Sequence, residues 1–274
     1  MLPGFLLALR EGLEVALIVG LLLASLKKLG YADRARTVWL GAGSAALLSL
    51  VVAVGLTAAG AELEGLSEAL YEGVTLVLAA GVLTWMIFWM QRRGRSTSRE
   101  LEAQVSRAIA DERGRGLFLV AFVAVLREGV ELALFMTAAA VASSAQLTWV
   151  GGLLGGALAA AAGYALFAST TRLDVRRFFQ VTGIILLIFA AGLVARGIHE
   201  FVEIGWLPAL MDNVWNTASM LSDQSVLGQV AGSLLGYRSS PSLVEVISYI
   251  GYLAVVLFLL GWTSRARPRA PQSA

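Results

Sequence analysis

Seven stretches of roughly 20 predominantly apolar residues follow one another along the chain, and this repetition dictates the class of fold. Hydrocarbon offers backbone N–H and C=O groups no partner, so a spanning segment satisfies them within itself, as a helix. The stretches run from about Phe5 to Leu26, Val38 to Ala59, Ala69 to Met90, Gly116 to Ala139, Thr148 to Ala168, Phe178 to Glu200 and Val246 to Trp262. They predict an all-α polytopic membrane protein with seven transmembrane helices. Only 15% of residues are charged, where a soluble domain carries about 25%. No cleavable signal peptide is expected, because a basic n-region is missing and charges interrupt the first apolar run.

The connectors set the orientation. Lys27, Lys28, Arg34 and Arg36 follow the first span, and Arg92, Arg93, Arg95, Arg99, Arg107, Arg113 and Arg115 separate the third from the fourth. Arg172, Arg176 and Arg177 follow the fifth, and Arg265, Arg267 and Arg269 follow the seventh. Seventeen of the 21 Lys and Arg thus fall on one side, and only Arg238 falls in a connector on the other. The positive-inside rule then predicts N-terminus out and C-terminus in. This clustering also explains the net charge of +2 without any nucleic-acid partner. Ser96 to Gly116 is expected to form a surface helix, with a capping box from Thr97 and Glu100 and an apolar face of Leu101, Val105, Ala108 and Ile109. The tail 264–274 is expected to be cytoplasmic and disordered.

Three ionised residues interrupt the first span, in Arg10-Glu11-Gly12-Leu13-Glu14, and the pattern returns in the fourth span as Arg127-Glu128-Gly129-Val130-Glu131. A charge at the centre of a membrane helix costs roughly 2.5–3.5 kcal/mol even on insertion scales, so such residues are functional candidates. Further echoes accompany the motif. Trp39-Leu40-Gly41-Ala42 resembles Trp149-Val150-Gly151-Gly152, and Tyr71, Val74 and Thr75 match Phe178, Val181 and Thr182 in spacing. Three spans per unit reverse the second unit in the membrane. The chain therefore reads as an inverted 3+3 repeat, residues 1–90 and 116–200, with an outer loop 201–246 and an extra C-terminal helix 246–263. In inverted-repeat transporters the substrate site lies near the midplane between the halves.

On a helix, Glu11 and Glu14 share a face, and Arg10 reaches Glu14; the second motif does the same with Glu128, Glu131 and Arg127. Gly12 and Gly129 permit close helix approach. If the two helices cross there, four carboxylates and two guanidinium groups converge with a summed charge of minus two, which a di- or trivalent cation offsets. Carboxylate oxygens select hard cations such as Fe(III), Mn(II), Mg or Ca. Cysteine is absent, and histidine numbers 1 and methionine 6, so soft ligands are scarce. Arginine cannot ligate a metal but grips carboxylates, so Arg10 and Arg127 are expected to orient the glutamates. A plain intramembrane salt bridge would need only one glutamate per motif. On the outer side, Glu68, Glu72, His199 and Glu200 form a candidate access site, since an acidic mouth concentrates cations. Solvated helix-start carboxylates are the plainer account of the neighbouring Glu62 and Glu64.

These motifs resemble the paired Arg-Glu-x-x-Glu sequences in the first and fourth spans of the oxidase-dependent iron permease family, which includes fungal high-affinity permeases and bacterial EfeU-like proteins. The third-span phrase YEGVTLVLAAGVLTWMIFWM and the segment from Leu227 to Tyr252 look like its bacterial branch. The resemblance implies iron import across the cytoplasmic membrane, with iron as transported ion and no cofactor. It implies that Glu11, Glu14, Glu128 and Glu131 carry the ion, ferric by this reading, supported by Arg10 and Arg127. An iron-oxidising or iron-delivering partner on the outer side is implied as well; the extra acidic loop motifs of fungal relatives are not found here. Other readings are a transporter for another hard or heavy divalent metal, a structural membrane subunit, or an intramembrane lipid-phosphate enzyme. The last lacks a nucleophile or phosphate-gripping segment near either motif.

Overall fold

The computed structural model describes residues 1–93, 108, 115–168, 175–208 and 210–265. The surface helix expected between Ser96 and Gly116, Arg172 and the tail beyond Arg265 lie outside the described residues, apart from Ala108 and the start of the next helix.

Every expected span lies inside an observed helix. These are α1 (Leu2–Lys28), α2 (Ala35–Ala61, preceded by a 3-10 turn Ala32–Arg34), α3 (Leu66–Arg93), α4 (Arg115–Val141), α5 (Ala145–Ala168), α6 (Val175–Glu203) and α8 (Leu243–Arg265). A short α7 (Val226–Leu235) stands in the connector between α6 and α8, and the described residues contain no strand. Five helices, α2, α3, α5, α6 and α8, are long and apolar enough to cross a membrane by length and composition. Helices α1 and α4 are 27 residues long but carry the three charges of their motif in mid-helix.

The termini follow local chemistry. Pro3 sits in the first turn of α1, where its missing N–H is no loss, and Lys27 and Lys28 complement the dipole at the other end. α7 starts at Ser225, whose hydroxyl accepts from the Gly228 N–H at 3.0 Å, and stops at Gly236 in the left-handed region (φ 68°). Before α8, the Ser242 hydroxyl accepts from the Glu245 N–H while Glu245 Oε1 accepts from the Ser242 N–H, a capping box.

Large apolar side chains cover the outside. Leu47 and Val51 of α2, Leu153 of α5, and Phe258 and Trp262 of α8 are all exposed, and such contiguous apolar faces have lipid as their natural solvent. This is a multi-pass membrane protein. Inside, α1 packs along α5, α2 along α4 and α3 along α6, while α1 crosses α4 and α8 leans on α6. Small residues make the first two packings close. A Cβ on Gly12 would lie 2.7 Å from the Ala159 Cβ, and one on Gly129 would overlap the Ser49 side chain. A Cβ on Gly151 would meet the backbone of Met1 and Phe5; one on Gly41 would meet that of Phe118 and Phe122. The step that carries Gly12 to Gly129 also carries Met1 to Phe118 and Phe5 to Phe122. The step from Gly41 to Gly151 carries Ser49 to Ala159. The α1–α5 and α2–α4 packings therefore match contact for contact.

Two apolar clusters flank the α1–α4 crossing. One joins Leu7 of α1, Leu76 and Leu83 of α3, Phe135 of α4, and Leu186 and Leu193 of α6, none more than 1% exposed. The other joins Leu22 and Leu26 of α1 to Val38 of α2 and Leu117 of α4. The charged motifs lie between them.

Candidate metal site

The crossing of α1 and α4 brings both motifs together. Arg10, Glu11 and Glu128 are each at most 1% exposed, and Glu131 is 8% exposed. Arg10 Nη1 donates to Glu11 Oε1 at 2.8 Å. Arg10 Nη2 lies 3.0 Å from Glu14 Oε1, yet no N–H points at that oxygen, so the contact is an ion pair rather than a hydrogen bond. In the second motif Arg127 donates through Nε to Glu128 Oε1 at 3.0 Å and also through Nη2, and its Nε is 3.6 Å from Glu131 Oε1.

Each glutamate keeps one buried oxygen without a hydrogen bond among the described residues: Glu11 Oε2, Glu14 Oε1, Glu128 Oε2 and Glu131 Oε2. A buried carboxylate oxygen left unpaired is expensive, so four together call for a cation or protons. Ligand atoms of Glu11, Glu128 and Glu131 all lie within 4.8 Å of one another. Oxygens about 2.1 Å from a six-coordinate ion stand roughly 3 to 4.2 Å apart, so a shift of well under 1 Å per side chain closes the three around one ion. Glu14 is more open, its side chain 12% exposed, and is not one of these three. Thus three of the four predicted ligands form one cluster, and the fourth flanks it.

Both arginines are held from outside the motifs, by residues that the sequence alone does not mark. The Nη1 and Nη2 groups of Arg10 contact the sulfurs of Met86 and Met90 on α3, and its guanidinium lies 5.8 Å from the Phe179 ring centroid of α6. The Arg127 guanidinium lies 4.4 Å from the ring centroid of Trp89, also on α3. The repeated Trp-Met in TWMIFWM was the available signal: its i, i+4 spacing puts Met86 and Met90 on one face.

The candidate outer residues divide. Glu72 of α3 lies within electrostatic range of Glu68, Glu200, Glu203 and Arg196. His199 turns elsewhere: its Nδ1 is 3.0 Å from Oε1 of Glu245 on α8. Glu245 is only 4% exposed and also binds Arg238 at 3.4 Å and the Ser242 hydroxyl at 3.0 Å. The histidine thus helps to tie α8 to the end of α6, with a weaker approach of 3.9 Å to Glu203.

Residues 1–264 match the iron permease FTR1 family. The chain belongs to that family. The permease is 35% identical to the ferrous iron permease EfeU of Yersinia pestis over 264 residues, which is 95% of this chain and 94% of the relative. It is 33% identical to the proteins of the same name from Shigella sonnei and Escherichia coli O157:H7 over 276 residues, covering the whole of each chain. No solved structure matches it. The membership makes this an iron transporter and not an enzyme, and its buried acidic cluster fits a metal-binding role.

Proposed function

We propose that this permease imports ferrous iron across the cytoplasmic membrane, and that Glu11, Glu128 and Glu131 ligate the ion at the crossing of α1 and α4. The observation that carries the reading is the set of four glutamates, each with a buried oxygen that accepts no hydrogen bond, around two guanidinium groups. Their summed charge of minus two is neutralised by one divalent ion. Ferric iron, expected from the family resemblance, would leave the site at plus one; the relatives bear the name ferrous iron permease. Arg10 and Arg127 orient the carboxylates, and Glu14 flanks the cluster as a second stop for the ion.

The permease spans the membrane seven times, N-terminus outside and C-terminus inside, as two inverted three-helix units, 1–90 and 116–200, plus α8. The matched packing of α1 on α5 and α2 on α4 supports this plan, which puts the glutamates near the midplane. Helices α1 and α4 cross despite their charges because those charges meet each other and not lipid. The acids Glu68, Glu72 and Glu200 form the outer mouth, and an iron-delivering partner acts on that side.

Anaerobic uptake of radioactive ferrous iron into proteoliposomes tests the proposal. Glu11→Gln, Glu128→Gln and Glu131→Gln should each abolish uptake while leaving the protein folded. Wild-type rates in any two of them would end the reading.

A further inference from the structure

Four donor atoms from two helices surround the Arg10 guanidinium. They are Glu11 Oε1 at 2.8 Å, Glu14 Oε1 at 3.0 Å, and the thioether sulfurs of Met86 and Met90. An arginine with no exposed surface ordinarily finds oxygen acceptors, because sulfur is among the weakest acceptors a protein offers. Here two of its N–H groups face sulfur, and its Nε has no partner among the described residues. As a site for a guanidinium this is poor. As a ligand set for a borderline divalent ion it is good: two carboxylates supply charge, and two thioethers supply the softness that separates Fe(II) from Mg(II), Mn(II) and Fe(III).

We propose that Glu11, Glu14, Met86 and Met90 form a second ion position beside the Glu11–Glu128–Glu131 cluster, taken by ferrous iron when the Arg10 guanidinium moves aside. Glu11 belongs to both positions and passes the ion between them. A doubly charged ion displaces a singly charged group from two carboxylates on charge alone. Arg10 therefore keeps the four donors gathered, and it leaves only for a cation that thioethers will accept. This assigns metal selectivity to α3, a helix that contributes no residue to the paired motifs.

The inference rests on the transport reading above, and its test separates the two. Uptake of Fe(II) and of Mn(II) is measured anaerobically for wild type and for Met86→Leu/Met90→Leu, which keeps apolar bulk and removes both sulfurs. The Fe(II)-to-Mn(II) rate ratio should fall on the order of tenfold. An unchanged ratio in a variant that elutes and melts like wild type overturns the thioether position, while the glutamate variants still judge the transport reading. If the double variant does not fold, Met90→Leu alone, at the less buried of the two methionines, is read by the same ratio and the same criterion. Wild-type vesicles that move neither metal overturn both.

Discussion

Replacing Glu131 by glutamine removes one charge and almost no volume, at a position where the structure fixes the sign of the effect. A ligand oxygen of Glu131 lies within 4.8 Å of one from Glu11 and one from Glu128. At an effective dielectric constant of about 20, each such like-charge pair repels by at least about 3.5 kcal/mol. The opposing term is Arg127 Nε at 3.6 Å from Glu131 Oε1, worth about 4.6 kcal/mol on the same scale. Arg10 adds a weaker attraction, but the cost of burying the charge adds to the two repulsions, and Arg127, one-third exposed, is screened further by solvent. The metal-free variant should therefore be more stable than wild type by about 2 kcal/mol, a melting temperature several degrees higher. Thermal unfolding in detergent with a chelator present measures this, and ferrous uptake by the same preparation should fall by at least tenfold. A structural salt bridge predicts the reverse, because breaking a buried pair costs about 3–5 kcal/mol. A variant that melts lower by that amount and still transports iron would refute the argument.

Two further substitutions probe what surrounds the site. Gly129→Ala places a Cβ against Ser49 and should destabilise by about 1–3 kcal/mol, with most of the loss recovered by adding Ser49→Gly, as a double-mutant cycle of melting curves would register. Glu72→Gln/Glu200→Gln weakens the acidic mouth. It should lower uptake at limiting iron and low ionic strength, with the difference fading as salt is raised.

The positions of the helices and the meeting of the two charged motifs were legible in the sequence, for a physical reason. Lipid forces each span to be a helix and makes each buried charge costly, so apolar run length and misplaced glutamates carry most of the information. Glu11, Glu128 and Glu131 do meet, as the doubled motif predicts. What stayed hidden depends on contacts between helices distant in sequence. Nothing in the first motif says that Arg10 will rest against Met86 and Met90, 76 and 80 residues away. Counting only 6 methionines made soft ligands look scarce, although two of them are concentrated at one buried guanidinium. His199 looked like part of the outer mouth because its neighbours are acidic; its partner is Glu245, 46 residues on, whose capping-box role at α8 also hid its reach. Gly12 and Gly129 were expected to let helices approach, and they do, but toward Ala159 of α5 and Ser49 of α2.

The most direct measurement is the position of iron itself, by anomalous scattering at the iron edge from the permease loaded anaerobically with Fe(II). The account predicts a peak within about 2.0–2.3 Å of carboxylate oxygens from Glu11, Glu128 and Glu131, lost in Glu128→Gln. A single peak confined to the Glu72–Glu200 mouth, with Glu128 and Glu131 still held by Arg127 alone, would contradict it.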